Sequence, residues 1–120
     1  MKSRPRKRLT QEERRTKILA AATRIFARKG FDGASMSAIA TASGITKPVL
    51  YDHFTSKDAL FETLLHSIRD DLLAKGNVIA KASGSAEQRF RAEVDAFYAF
   101  VETQPDAAKI LLIVPQGNPV

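Results

Sequence analysis

The chain of 120 residues contains no cysteine. Disulfide bridges, thiolate metal sites and cysteine nucleophiles are thereby excluded, and a reducing, cytoplasmic setting suits the sequence. No run of about 18 apolar residues occurs, so no segment reads as a membrane-spanning helix. The basic N-terminus does not lead into an apolar stretch: charged residues follow Leu9 and Thr10, which is not the pattern of a secretion signal. There is no glycine-rich phosphate loop, no cluster of metal-ligating side chains, no internal repeat and no strand-like alternation. Acidic residues are scarce in the first half. Residues 1–57 hold 13 Lys and Arg against 4 Asp and Glu, a net +9, whereas residues 58–120 hold 6 against 9, a net −3. This asymmetry suggests a polyanion-binding head on a body that does not bind polyanions. A solvated basic tail would give the same totals, so charge alone does not decide.

What is present is enough apolar material, 44% of residues, to bury a core. Residues 1–9 form a basic arm, MKSRPRKR and Leu9, without an apolar period. Thr10 and Glu13 have the spacing of a capping box, and Ile18, Ala22, Ile25, Phe26 and Lys29 follow at three- and four-residue steps. Gly30 is the expected left-handed stop of this first helix. Ser35 is placed to cap a short second helix whose inner face is Met36, Ile39 and Ala40. Ser43-Gly44-Ile45 reads as a turn, and Thr46 as the cap of a third helix with Pro48 in its first turn. Ile45 and Leu50 occupy the two positions of a hydrophobic staple, and Leu50 and Phe54 face inward.

Ser56, with Asp58 behind it, starts a long fourth helix bearing Leu60, Phe61, Leu64, Leu65, Ile68 and Leu72. Gly76 offers a place for it to bend or end, and Ser83-Gly84-Ser85 a clear break. A fifth helix from about Ala86 carries Phe90, Val94, Phe97, Tyr98 and Val101 and stops before Pro105. Asp106 can cap a last helix through Ile110, Leu111 and Val114, beyond which Pro115, Gly117 and Pro119 forbid much continuation. The fold class expected from these patterns is all-α, with a three-helix helix-turn-helix head followed by a helical body. The head covers residues 10–56 and the body residues 57–120.

A helix that enters the DNA major groove leads with its N-terminal residues, here Thr46, Lys47, Pro48 and Val49. Lys47 can donate to guanine O6 and N7 or to a phosphate, and Pro48 and Val49 can touch a thymine methyl. Tyr51 lies one turn on and can reach a phosphate through its hydroxyl. His53 and Lys57 extend this rim, and Ser35 with the amides opening the second helix forms an anion-attracting end on the other flank. A lone lysine is usually a solvated residue, a tyrosine a half-buried one and a proline a helix starter. Their joint placement on the exposed side of one short helix is what points to duplex DNA.

The stretch GFDGASMSAIATASGITKPVLYDHFTSKDAL, residues 30–60, resembles the DNA-binding domain of the TetR family of bacterial transcriptional regulators. The matching residues are Gly30-Phe31, Ile39-Ala40, Ser43-Gly44-Ile45, Leu50-Tyr51, His53-Phe54, Ser56-Lys57 and Leu60, and with the first helix the likeness covers residues 10–65. Many members carry Gly where Pro48 stands, and a subset similar to the tetracycline repressor carries Pro. The resemblance implies that Lys47, Pro48, Val49 and Tyr51 face bases or nearby backbone, and that Ser35, Tyr51, His53 and Lys57 clamp phosphates. It also implies a repressor of a palindromic operator, released by a small hydrophobic effector and working as a homodimer in a full-length form, with no cofactor and no membrane. TQPDAAKILL, residues 103–112, is similar to the junction of the fifth and sixth helices. Members typically run longer, so the resemblance implies that residues 57–120 are a partial helical regulatory domain, the truncated N-terminal part of a ligand-binding and dimerisation domain, and the alternative is a DNA-binding fragment without effector control or stable dimerisation. An enzyme would have to be built from His53 or His66 with Asp52, Asp70 or Asp71. His53 and Asp52 point to different helix faces, and His66 with Asp70 has the spacing of a surface pair, so no catalytic residues are assigned.

Overall fold

The structure, a computed structural model, describes residues 9–113. Six helices follow one another: α1 (Gln11–Gly33), α2 (Met36–Ser43), α3 (Lys47–His53), α4 (Lys57–Ala80), α5 (Ala86–Thr103) and α6 (Pro105–Leu112). No strand occurs among the described residues, and the chain is all-α. The basic arm of residues 1–8 and Val114, Pro115, Gly117 and Pro119 lie outside the described residues.

Side-chain caps fix most of the helix starts. The Thr10 hydroxyl accepts from the Glu13 amide at 3.0 Å, and the Glu13 carboxylate accepts from the Thr10 amide at 2.8 Å, which closes the capping box. Ser35 and Ser56 accept from Ala38 and Ala59, each at 3.0 Å, and Thr46 accepts from Val49 at 3.4 Å. Ser85 and Gln88 form a second capping box at the start of α5.

Three details differ from the pattern in the sequence. Gly30 does take positive φ (77°), but with an extended ψ of 176°. The chain kinks there and then winds one more turn, so α1 ends at Gly33. Gly76 neither bends nor ends α4, which continues to Ala80 because neighbouring residues carry the helix through it. Asp106 is not the cap of α6. Gln104 ends α5 and begins α6, Pro105 fills the first helical position, and Asp106 falls inside the first turn, where its charge suits the helix dipole.

One core runs through the molecule. Ile18, Ala22 and Phe26 of α1 meet Ile39 and Ala40 of α2, Leu50 of α3, and Leu60, Phe61, Leu64 and Ile68 of α4. Phe100 of α5 and Ala107 and Ile110 of α6 join the same cluster. Phe26, Phe31 and Phe61 form its aromatic centre, with both Phe26 and Phe31 meeting Phe61 edge-on at ring distances of 5.0 and 5.3 Å. Lys29, which falls on the helical period of Ile18 and Phe26, is exposed. Ala21 and Ala27 are buried in its place. The expected head and body thus share packing across the boundary at residues 56 and 57.

Candidate nucleic-acid interface

The corner between α2 and α3 is set by backbone geometry. Gly44 adopts the left-handed conformation (φ 74°, ψ 27°), where a Cβ would be strained. Its amide donates to Thr41 O at 3.1 Å and the Ile45 amide donates to Ala40 O at 3.0 Å, so the carbonyls ending α2 are satisfied. The buried Ser43 hydroxyl donates to Ile39 O at 2.7 Å. Leu50 is wholly buried, and Ile45 is partly buried against the same core. A helix of seven residues is too short to hold itself together in water, so α3 is held by this packing.

With its inner side pinned, α3 turns its other residues outward. Thr46, Lys47 and Pro48 are exposed, Val49 is half-buried, and Tyr51 keeps 42% of its surface accessible. Lys47 makes no hydrogen bond or ion pair among the described residues. His53 is half-buried, with its ring 6.4 Å from that of Phe54, and it puts a basic group in the last turn of α3. Ser35 is exposed at the start of α2, with its oxygen engaged as the cap and its hydroxyl hydrogen still available to donate.

Lys57 stands apart. Its Nζ donates to Phe31 O at 2.8 Å and to Ala34 O at 3.1 Å, and it lies 4.4 Å from the centre of the Phe31 ring. Two of its three N–H groups therefore serve carbonyls at the end of α1, which has no basic residue of its own in its last turn. The first residue of α4 is thus tied to the segment that delivers Ser35, and one N–H remains to face outward.

Two residues of this surface were given no DNA contact by the sequence pattern. The Arg15 guanidinium lies 4.8 Å above the Phe54 ring and brings a cation from α1 to the end of α3. Only tertiary packing makes that contact, so no local spacing could have signalled it. Asp52 is exposed on the outward side of α3. On α4, His66 meets Arg69 at 3.2 Å in place of the Asp70 that its spacing suggested. Among the described residues, no three His, Cys, Asp or Glu side chains are grouped to hold a metal ion. No helix among them is long and apolar enough to cross a membrane.

Comparison with known proteins agrees with this fold. Residues 18–64 match the family of bacterial regulatory proteins, tetR family. The HTH-type transcriptional activator FasR of Mycolicibacterium smegmatis is 36% identical over 104 residues, covering 87% of this chain and 48% of that protein. The HTH-type transcriptional repressor KstR2 of Rhodococcus jostii is 31% identical over 97 residues, covering 81% of this chain and 48% of its own length. Among solved structures, a TetR-like transcriptional regulator from Rhodococcus sp. RHA1 superposes with a TM-score of 0.82 at 29% identity, covering 87% of this chain and 57% of that one. The chain spans about half the length of the curated relatives it matches. These relatives are regulators and not enzymes. The chain belongs to the TetR family of bacterial regulatory proteins, of which it carries the N-terminal part.

Proposed function

We propose that this chain reads duplex DNA through α3 and serves as the operator-binding part of a cytoplasmic transcriptional regulator. The observation that carries this reading is the division of α3 into a wholly buried Leu50 and an outward side of Lys47, Pro48 and Tyr51. Thr46, Lys47, Pro48 and Val49 meet base edges or the backbone beside them. Ser35, Tyr51, His53 and the remaining N–H of Lys57 hold phosphates on either flank. The basic arm of residues 1–9 adds sequence-independent attraction. The head comprises residues 10–56, and residues 57–120 begin the regulatory domain.

The sign of regulation follows from where the operator lies. One relative is named an activator and another a repressor, and a helix-turn-helix is the same in both cases. Repression by occlusion is the simplest outcome, because it needs only an occupied site that overlaps a promoter. A palindromic operator is read by two copies, in a full-length form that pairs as a homodimer. Release by a small hydrophobic effector is supported by the apolar depression of about 430 Å³ between α5 and α6, lined by Phe97, Phe100, Val101, Leu111 and Leu112.

Selection of bound duplexes from a random library, at near-physiological salt, tests the reading. An enriched inverted repeat supports paired reading, and an enriched half-site supports a competent head acting singly. Salt-sensitive binding to every sequence without enrichment would overturn sequence-specific recognition.

A further inference from the structure

Asp52 is the single acidic residue between Ala34 and Lys57, the stretch that contains α2, the turn and α3. On a helix of 3.6 residues per turn, Pro48 and Asp52 both stand about 160° around the axis from Leu50. They are the two positions most nearly opposite the buried side, and both are exposed. Among the described residues the Asp52 carboxylate takes part in no hydrogen bond and no ion pair. It gives the helix nothing either: α3 ends at His53, so Asp52 places a negative charge in the last turn, where the helix dipole disfavours it. Toward DNA phosphates the same charge is repulsive.

One kind of group in the major groove rewards a carboxylate there, an exocyclic amine. Adenine offers N6–H beside the acceptor N7, which would face the second carboxylate oxygen. Cytosine offers N4–H with no acceptor of its own beside it on that edge, while guanine and thymine present acceptors. We propose that Asp52 is a specificity-determining residue that accepts a hydrogen bond from cytosine N4 and rejects base edges that present acceptors. The inference rests on the reading that α3 enters the major groove, and it assigns Asp52 to discrimination between sequences, with a cost in general affinity.

The test is a parallel selection from one random duplex library, at one salt concentration, by the chain itself, by Asp52→Asn and by Asp52→Ala. Both substitutions are at an exposed position and leave the core untouched. In the parent motif one column is cytosine, favoured over other bases by about five- to 150-fold. In Asp52→Ala that column flattens while binding to random duplex tightens. In Asp52→Asn it changes to adenine, whose N6 and N7 an amide can meet together. A motif that is identical in all three proteins overturns the assignment of Asp52 and leaves the DNA-reading proposal standing. So does an altered column that was not cytosine in the parent. Failure of the parent to enrich any motif overturns both proposals, and it is visible before the variants are compared.

Discussion

Leu50 and Phe97 are both large apolar residues on the apolar side of a helix, yet Leu50 is wholly buried and Phe97 is 54% exposed. The contrast extends to their surroundings. Around Leu50, the inner residues of α1, α2, α3 and the first half of α4 close on one another. Along α5 and the second half of α4, Leu73, Val78, Phe90, Phe97 and Tyr98 face outward, and of α5 only Phe100 reaches the core. Helical spacing states which side of a helix favours burial. It carries no information about whether another element is there to receive it.

Five substitutions bear on this contrast. Leu50→Ala is expected to destabilise the head by about 2–5 kcal/mol, read as a lowered midpoint in denaturant, because it leaves a cavity beneath α3. A loss no greater than that of an exposed residue would break the comparison on the buried side. Lys47→Ala or Tyr51→Ala should weaken operator binding by about 1–3 kcal/mol, with the melting temperature nearly unchanged. Equal affinity and base preference after Lys47→Ala would show that the outward side of α3 is not the reading face. Lys57→Met should cost about 1–2 kcal/mol of stability, since a half-buried cation leaves two carbonyls unpaired. It should also make the fall of log K with log salt shallower by about 0.9. An unchanged slope with the same stability loss would confine Lys57 to holding α1 against α4. Phe97→Ser should shift stability by less than about 0.5 kcal/mol. A drop comparable to that at Leu50 would mean that this side is covered in solution, and light scattering would show whether a second copy covers it.

The helix starts were legible because a cap is a local device. The hydroxyls of Thr10, Ser35, Thr46 and Ser56 each bond to an amide three residues on, and that spacing is written in the chain. The positive φ of Gly44 and the burial of Leu50 were legible for the same reason. Contacts that join distant parts of the chain were not. Lys57 reads as a surface lysine until folding brings Phe31 and Ala34 to it across more than 20 residues. Arg15 likewise meets Phe54 only in the assembled head. Gly76 suggested an end that neighbouring residues override, and Asp106 suggested a cap that the fixed backbone of Pro105 at the first helical position assigns to Gln104. At the candidate interface, spacing predicted that Lys47, Pro48 and Tyr51 point outward, and all three are exposed; the outward place of Asp52 was not among the expectations. Its chemistry, a carboxylate on a basic surface, drew attention only as a possible acid or base.

Gln104 is at once the C-cap of α5 and the N-cap of α6, so a single residue joins the two helices. The two behave as a bent rod whose far limb rests on α1, while α5 also leans on α4 and α4 on α1. These four helices close a mechanical linkage, and a closed linkage has fewer free motions than an open chain of levers. Any displacement of α5 against α4 must also shift α6 against α1, so it reaches the head by two routes at once.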